Sequence, residues 1–377
     1  MIQLSIKKVG NSTANTASLK KISPIPQKAV WGTESIVLDE NVKITLKYDT
    51  DASDQILKPL PNLDIDIFVH PKWTFEEFSH RILKWMNLRL NELGSQFQFD
   101  QKQITAKTEK IFAEFPIESI PQANRTQAYY FNASKQGVDV LAWTMQGLFY
   151  GIITLTQLLE IEKDEGGEFI KAPTVEIWDW PQYIARGLVD DISRGQRPTI
   201  DNFKKWIQYL ARTKQNVLAL SMEDIIYFKS NPNIGKGRGV LMPEDIKVLQ
   251  DYAKEWFVTI IPAIQVFGHL DNMLYDPEFM PYAEFPGAFC FDTTNPKSRE
   301  LIRQMLQDTL PLFETPVFSP MCDESFDFGQ GNSRKYVEKM GYGKALGEWY
   351  QFLIEEIKKA GKQVIFLAHD VDRKSVV

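Results

Sequence analysis

Hydrophobic positions change their spacing near the middle of the chain, and the change predicts two halves of different architecture. Before about residue 173, short alternating apolar runs predict strands, and two longer stretches with apolar positions three and four residues apart predict helices. The predicted strands are 36–38, 42–46, 63–69, 128–132 and 138–142, and the predicted helices are 74–93 and 145–160. This mixture predicts a small α+β domain over residues 24–175, preceded by a polar leader at residues 1–23.

From Trp178 onward, short apolar runs alternate with amphipathic stretches, as strands and helices do in repeated βα units. The predicted strands are 187–191, 217–222, 258–264, 317–321 and 364–368, and the predicted helices are 198–213, 243–255, 298–313 and 342–360. The strands are continuous and rich in leucine and β-branched residues, which is typical of parallel strands covered by helices. Two architectures have this pattern, an open doubly wound sheet and a (β/α)8 TIM barrel.

Polar residues at the ends of the predicted strands distinguish the two architectures. In a barrel, catalytic residues lie where strands end and βα loops begin. Each predicted strand of the second half is followed by polar or ionisable residues. They are Asp190, Asp191, Arg194, Glu223, Asp224, Gln265, His269, Asp323, Glu324, His369 and Asp370. A doubly wound nucleotide binder would carry a glycine-rich turn after its first strand, and the sequence lacks it. We therefore predict an α/β fold, an incomplete TIM barrel of about five βα units over residues 176–371.

Composition and charge narrow the functional classes. The chain is 44% hydrophobic and 24% charged, as in ordinary soluble globular proteins. A net charge of −6 without a basic block argues against nucleic acid as a partner. The start lacks the apolar run of a signal peptide, and no apolar run reaches the roughly 18 residues that a membrane span needs, so we expect a cytoplasmic protein. Two cysteines and four histidines without ligand spacing predict neither a disulfide framework nor a metal site, and no cofactor is expected.

The pair Asp323–Glu324 is the strongest candidate for chemistry. Two adjacent carboxylates past a buried strand are costly unless one is protonated or both find donors. On the dipeptide alone, a solvated loop is the more frequent explanation, but the polar groups that follow four other strands favour an active site. His269 can hydrogen-bond a carboxylate and tune its proton affinity. Arg186, where the first barrel strand begins, is either a structural arginine or a donor fork for a polar substrate.

Several stretches of the sequence resemble glycoside hydrolase family 20, the β-N-acetylhexosaminidases, and in particular its bacterial exo-β-N-acetylglucosaminidase branch. They are SPIPQKAVW, GLFYGIITLTQLL, RGLVDDISRGQRPT, IQVFGH and MCDESFDFGQGNSRK. Each motif is modest by itself, whereas their order and spacing over residues 24–368 make the match specific. The resemblance implies a hydrolase that removes terminal non-reducing N-acetyl-β-D-hexosamine residues, GlcNAc or GalNAc, from oligosaccharides or glycoconjugates. It also implies a retaining mechanism in which the substrate's own acetamido group is the nucleophile, an exception to the usual separated pair of carboxylates.

The resemblance assigns catalytic roles residue by residue. Glu324 corresponds to the general acid/base, which protonates the glycosidic oxygen and later activates water. Asp323 corresponds to the residue that orients the 2-acetamido group and stabilises the positive charge that forms when the acetamido oxygen attacks. His269 corresponds to the histidine that supports the acid/base.

Substrate binding and a relay are implied in the same way. Arg186 corresponds to the arginine that grips hydroxyls of the terminal sugar. Glu223 corresponds to the acidic residue that closes the relay behind the histidine, although its neighbour Asp224 can fill the same place. Cys322 departs from the glycine of the wider family and resembles the exo-glucosaminidase branch, where we interpret it as a small packing residue.

Compared with that family, we expect the chain to be C-terminally truncated, because five of the eight barrel strands are accounted for. Residues 372–377, DRKSVV, match the translation of a common sequencing-adapter read, so we expect a non-native tail there. Three alternatives stay open: a catalytically inactive fragment, a related acetamido-sugar hydrolase, and a carbohydrate-binding or scaffold protein derived from such a barrel. Retention of both Asp323 and Glu324 argues against a pure binder, which has no need of a proton donor.

Overall fold

Two units with separate cores make up the part of the chain that the computed structural model describes, which is residues 22–48, 67–108 and 119–366. The first unit takes the described residues of Met1–Asn62 and Lys72–Ile184, and the second takes those of Leu63–Pro71 and Ala185–Val377. The predicted tail, residues 1–21 of the predicted leader, and the candidates His369 and Asp370 lie outside the described residues.

The first unit is built on one mixed β-sheet. Its strands are β1 (Lys28–Val37), β2 (Ile44–Tyr48), β3 (Ile104–Thr108), β4 (Tyr129–Ser134), β5 (Gly137–Ala142), β6 (Glu160–Asp164) and β7 (Gly167–Asp179). Its helices are α1 (Phe75–Glu92) and α2 (Met145–Leu158), with short 3-10 turns at Gln101–Gln103 and Gln122–Gln127. The strand order across the sheet is β1-β7-β4-β5-β2-β3, and β6 pairs with β7. Strand β2 runs parallel to β3 and β5, whereas the pairs of β4 and β7 are antiparallel.

The two helices of this unit form for different reasons. Helix α1 starts at a complete capping box, because Thr74 Oγ1 accepts from the Glu77 amide and the Glu77 carboxylate accepts from the Thr74 amide. Helix α2 is apolar on nearly every side, since it packs against β4 and β5 and also against α1. Between the helices, the rings of Trp85 and Phe149 lie 4.7 Å apart in an edge-to-face arrangement.

Most of the predicted elements of the first half are confirmed, and three strands were missed. Strands β3, β6 and β7 have no counterpart among the predictions, and β7 crosses the predicted domain boundary between residues 175 and 176. The predicted strand at 63–69 is wrong over residues 67–69, which are described and are not in a strand. A hydrogen bond from the Val69 amide to Thr259 Oγ1 holds that segment within the second unit.

The second unit consists of strand–helix repeats. Its strands are β8 (Gly187–Asp191), β9 (Val217–Ser221), β10 (Thr259–Ala263), β11 (Val317–Phe318) and β12 (Gln363–Val364). Its helices are α3 (Ile200–Arg212), α4 (Pro243–Lys254), α5 (Asp271–Leu274), α6 (Pro296–Thr309), α7 (Arg334–Met340) and α8 (Tyr342–Lys359), with 3-10 turns at Met280–Tyr282 and Leu310–Leu312. Among all described residues, no helix combines the length and the hydrophobicity that a membrane span requires.

The strands of the second unit follow one another in space in the order of the sequence. Strands β8, β9 and β10 are parallel, with Gly187 beside Val217 and Val217 beside Thr259. A parallel β-bridge between Ala263, at the end of β10, and Ser319 connects this sheet to the segment that follows β11. Strand β11 is parallel to β12. Sequential parallel neighbours joined by helices are the pattern of a (β/α)8 barrel, and these elements form part of one.

Asn216 ties together the starts of three strands. Its side-chain oxygen accepts from the Arg186 amide at 2.9 Å, and its own amide donates to the Arg186 carbonyl at 2.8 Å. Its carbonyl accepts from the Thr259 amide at 2.9 Å. Because Asn216 is fully buried, these bonds fix the register of β8, β9 and β10 where the strands begin.

Candidate active site

Polar side chains that follow four neighbouring strands meet at the carboxyl edge of the second unit's sheet. Asp191 ends β8, Glu223 follows β9, His269 follows β10, and Asp323 and Glu324 follow β11. The parallel strands end at the same edge, so loops that are far apart in sequence deliver these groups to one place. A chain of contacts through Arg194 and His269 connects them.

The carboxylates of Asp323 and Glu324 both face one nitrogen of His269. Nε2 of His269 lies 3.1 Å from Glu324 Oε2 and 3.6 Å from Asp323 Oδ2. The Glu324 side chain is 43% exposed, whereas those of Asp323 and His269 are 21% and 17% exposed. Glu324 is therefore the member of the pair that is open to solvent, while Asp323 is held further inside.

Gln265, which follows β10, fixes Asp323 with both ends of its amide. Its Nε2 donates to Asp323 Oδ1 at 2.7 Å, and its Oε1 accepts from the Cys322 amide at 3.2 Å. The Asp323 carboxylate is thus oriented by a nearly buried neighbour. Cys322 is itself buried, in agreement with its interpretation as a packing residue. The sequence placed Gln265 at a strand end but gave no sign that its amide would bind the carboxylate.

The backbone around the carboxylate pair is strained. Six described residues other than glycine have a positive φ, and four of them lie here: His269 at 51°, Met321 at 57°, Cys322 at 69° and Glu324 at 50°. Residues other than glycine rarely adopt this left-handed backbone conformation, and those that are held in it cluster at functional sites. The concentration of strain supports a functional role for this loop independently of its sequence motif.

Gly268 allows the β10 loop to approach the carboxylate pair closely. A Cβ atom at this position would lie 2.7 Å from the Asp323 carbonyl oxygen, which is closer than packed atoms tolerate. The loop that carries His269 therefore touches the main chain of Asp323, and only glycine fits between them.

Arg194 lies between Glu223 and His269. Its Nη2 is 2.9 Å from Glu223 Oε1 and 3.4 Å from His269 Nδ1, and its Nε donates to Asp191 Oδ2 at 2.9 Å. The N–H groups are not aligned with Glu223 Oε1, so that contact is an ion pair rather than a hydrogen bond. Arg194 therefore lies between His269 and Glu223, the acidic residue that the resemblance places behind the histidine.

Glu223 is nearly buried, and its environment favours the protonated form. Burial raises the pKa of Glu223 to about 7, and Arg194 opposes this effect. The nearby acidic residues Asp271, Asp191 and Asp224 also raise it. Burial by itself would also raise the pKa of Asp191. Hydrogen bonds from Ser193 and the charge of Arg194 outweigh this effect, so the pKa of Asp191 is lowered.

Asp224 contacts a different arginine. Its Oδ2 lies 2.6 Å from Arg238 Nη1, and Arg238 Nη2 donates to the Ser193 carbonyl at 2.8 Å. Burial raises the pKa of Asp224, while Arg238 lowers it. Between the two acidic residues that were candidates for the relay, Glu223 is therefore the one whose ion pair, Arg194, also contacts His269.

Arg186 lies at the opposite end of β8 from the carboxylates. A strand rises about 3.3 Å per residue, so Arg186 is roughly 16 Å from Asp191 along the strand. Its Nε and Nη2 donate to the Lys214 carbonyl at 3.0 and 2.5 Å. In the described part of the chain, the structure thus does not group Arg186 with Asp323, Glu324 and His269.

The loop after Glu324 is held in place by another buried carboxylate, Glu284. Its oxygens accept from the hydroxyl and the amide of Ser333, and burial raises the pKa of Glu284. The Phe289 amide donates to Asp327 Oδ2 at 2.8 Å, which joins the same two loops a second time. Asp327 and Ser333 belong to the quoted stretch MCDESFDFGQGNSRK, but their contacts with Phe289 and Glu284 could not be predicted, because no motif marks contacts between two long loops.

The site combines a solvent-accessible carboxyl group, a histidine in contact with it and an oriented second carboxylate, which are the parts that general acid–base catalysis needs. Within the described residues, no group of histidine, cysteine and acidic side chains has the arrangement of a metal site.

Comparisons with known proteins identify relatives of this chain. Residues 76–180 match the family model described as "Glycosyl hydrolase family 20, domain 2". A curated relative, the β-hexosaminidase of Porphyromonas gingivalis, is 28% identical over 186 residues, which are 44% of this chain and 23% of that protein.

Solved structures extend the similarity to nearly the whole chain. Flavobacterium johnsoniae chitobiase superimposes with a TM-score of 0.69 and 20% identity over 94% of this chain and 53% of its own. The family 20 exo-β-N-acetylglucosaminidase of Vibrio harveyi, in complex with N-acetylglucosamine, gives a TM-score of 0.67 and 18% identity over 96% of this chain and 56% of its own. These similarities confirm the predicted α/β fold with part of a TIM barrel and a small α+β unit. The chain spans 23% to 56% of the length of these relatives.

Proposed function

We propose, from the premise that this chain is related to glycoside hydrolase family 20, that it carries the acid/base centre of a β-N-acetylhexosaminidase. The substrate is a terminal non-reducing N-acetyl-β-D-hexosamine of an oligosaccharide or glycoconjugate. The observation that carries the proposal is the pair of adjacent carboxylates that share contact with His269 Nε2.

In the proposed mechanism, Glu324 donates a proton to the glycosidic oxygen as the bond to the leaving group breaks. Its greater exposure supports this role, because the acid must reach a substrate atom. Asp323 faces the 2-acetamido group of the substrate, whose oxygen attacks the anomeric carbon. The hydrogen bond from Gln265 to Asp323 supports a carboxylate that is fixed and orients the substrate, rather than one that moves during the reaction.

The nucleophile belongs to the substrate in this proposal, and the position of both carboxylates on one loop beside the same nitrogen of His269 supports that assignment. Retaining enzymes that use their own nucleophile separate the two groups by about 5–5.5 Å across the scissile bond. Here the two side chains are sequence neighbours on one loop and approach the same imidazole nitrogen. Such neighbours serve one side of the reacting centre, where the acetamido group lies.

The remaining predicted roles concern Glu223, Asp224 and Arg186. Glu223 is proposed to act behind His269, and its ion pair with Arg194 supports this. Asp224 is bound to Arg238 and is the less favoured candidate. The proposed contact of Arg186 with sugar hydroxyls stays a prediction, as does the cytoplasmic location.

The test is Glu324→Gln in the 377-residue chain, assayed on aryl N-acetyl-β-glucosaminides with good and poor leaving groups. Removing the acid should lower kcat/KM for poor leaving groups by about 10²–10⁴-fold, the usual value of general acid catalysis. Good leaving groups need no proton and should lose far less.

Glu338→Gln is the matched control, because Glu338 is an exposed glutamate on α7 that forms an ion pair with Arg334. It should leave both rates unchanged. Equal losses of Glu324→Gln on both substrate types would contradict the role of Glu324 as the acid. A wild-type chain that binds N-acetylglucosamine but hydrolyses no arylglycoside would favour the alternative of a carbohydrate-binding protein.

A further inference from the structure

A cleft on the first unit lies where strand β1 ends and strand β7 begins. Its volume is about 260 Å³, which is roughly nine times the volume of one water molecule in the liquid. The floor is apolar: Leu38 and Ile170 are both buried, and the Leu38 amide donates to the Ile170 carbonyl at 2.7 Å. The candidate catalytic residues belong to the second unit, so this cleft is a separate feature of the chain.

Two phenylalanine rings line the walls of the cleft. Phe97 and Phe169 are both half-buried there. The Phe97 ring meets the buried ring of Phe99 edge to face, with the ring centroids 5.2 Å apart. The Phe97 amide also donates to Ser95 Oγ at 3.0 Å. The ring of Phe97 is therefore held in place from two directions.

A fixed carboxylate, that of Glu168, belongs to the same lining. Its Oε1 accepts from the Ser95 hydroxyl and from the Gln96 amide, the latter at 3.1 Å. The hydrogen bond from Ser95 holds the pKa of Glu168 below its usual value, so this group is charged at neutral pH. Its Oε2 lies 3.6 Å from Nζ of Lys163, whose side chain is 70% exposed. Glu168 thus brings a negative charge to the cleft, and its ion pair with Lys163 is open to solvent.

The charged residues that line the cleft are all acidic. Besides Glu168 they are Asp39 and Glu40, which are exposed and follow β1. The cleft does not have the form of a metal site, because no group of acidic, histidine and cysteine side chains among the described residues could hold a metal ion. Negative charge beside aromatic rings and an apolar floor suits an organic cation. A ring face attracts an ammonium group, and alkyl groups cover the apolar surface.

We propose that this cleft binds a small quaternary ammonium compound, a function separate from hydrolysis. The methyl groups of the ligand cover Leu38 and Ile170 and meet the ring of Phe169, while its positive charge faces Oε2 of Glu168. A quaternary ammonium has no N–H to donate, so it suits a carboxylate whose other oxygen already accepts two hydrogen bonds. The exposed ion pair of Glu168 with Lys163 contributes little to stability, so the ligand replaces that lysine at a small cost.

Choline and its uncharged isostere 3,3-dimethylbutan-1-ol are the probes, because they share one shape and differ in charge. Titration of the 377-residue chain, followed by ligand-observed NMR, gives both dissociation constants without any need for hydrolytic activity. Choline should bind with a dissociation constant of roughly 1 mM or less, which is reasonable for a ligand of about seven non-hydrogen atoms. The isostere should bind about 10-fold more weakly, because it lacks the attraction to the rings and to Glu168.

Substitutions assign the binding to the cleft. Glu168→Gln should remove most of the preference for choline over the isostere. Lys163→Met removes the competing ammonium and should tighten choline binding roughly 2–5-fold, a gain that misfolding could not produce. Glu34→Gln is the matched control, because Glu34 lies on β1, outside the lining, and pairs with Lys135 at 2.9 Å. It should leave both constants unchanged.

Three results would overturn the proposal. They are the absence of saturable choline binding, equal affinities of the wild-type chain for choline and the isostere, and a preference for choline that Glu168→Gln leaves intact. Because the titration does not depend on catalysis, a chain without hydrolytic activity would contradict the proposed function and leave this inference standing.

Discussion

At the scale of single residues, Gly268 controls how closely the histidine loop approaches Asp323. In Gly268→Ala the new methyl group would meet the Asp323 carbonyl at 2.7 Å, so the carboxylate pair must shift. A displacement of about 1 Å at a reacting centre can cost roughly 10²-fold in rate. We therefore expect kcat for an arylglycoside to fall by about that factor, while the circular dichroism spectrum stays native.

Gly347→Ala is the control for this prediction. Gly347 lies within α8, and a Cβ there would meet no heavy atom within 4 Å. Alanine in a helix interior is about 0.5–1 kcal/mol more favourable than glycine, so this variant should be more resistant to urea and should retain full activity. Normal activity in Gly268→Ala would show that the approach of the loop is not needed.

The residues of the site were predictable to the extent that a local motif carried them. Asp323 and Glu324 are adjacent in sequence, and His269 ends the stretch IQVFGH that carries the family resemblance, so these three were found together. The positions of Gln265 and Arg194 at strand ends were also visible. Their partners were not, because a hydrogen bond between residues 58 positions apart, such as that of Gln265 with Asp323, leaves no periodicity in the sequence.

At the scale of elements, the start of α3 depends on one side-chain cap. Thr199 Oγ1 accepts from the Asn202 amide at 3.2 Å, which satisfies one of the amides that a helix leaves free at its start. Thr199→Ala should lower the free energy of unfolding by about 1 kcal/mol, measured by urea denaturation. Thr199→Ser keeps the hydroxyl and should lose much less, so equal losses in the two variants would argue against the cap.

Elements were predicted well where one physical signal dominated. The strand at 187–191 and the helices α1 and α8 agree with prediction to within a residue at each end, because apolar spacing and caps mark them clearly. Strand β7 was missed because it contains Pro173, and a proline within an apolar run argues against a strand. Helix α6 starts at Pro296 with Asn295 as its cap, two residues before the predicted start, since an Asn-Pro pair supplies a stronger start than Ser298.

At the scale of the whole molecule, buried carboxyl groups make stability depend on pH. Burial raises the pKa of Asp190, Glu223, Asp224 and Glu284, all in the second unit. A raised pKa means that the folded state retains a proton which the unfolded state releases. Stability from such a group is therefore full at low pH and declines as the pH rises through the window between the two values.

Glu223 provides the measurable case, because its window runs from its usual pKa of 4.5 to about 7. As the pH rises through this window, the unfolding free energy of the wild type should fall relative to that of Glu223→Gln by at most about 1.4 kcal/mol per pH unit. Urea denaturation of both proteins at each pH measures this difference. Glu168→Gln is a control of opposite sign, because a hydrogen bond from Ser95 lowers the pKa of Glu168. A difference for Glu223→Gln that stays flat from pH 4.5 to 7 would contradict the raised pKa.

The network around Asn216 has a consequence for how proteins of this kind diverge. Its bonds to Arg186 and Thr259 set the register of three strands at their amino ends, whereas the candidate catalytic groups lie in loops at the carboxyl ends. Replacements in those loops can therefore accumulate without a shift of the frame that carries them. Related proteins that keep this buried asparagine can replace the residues of one loop after another. Even with little overall sequence identity, they can still share the same strand register.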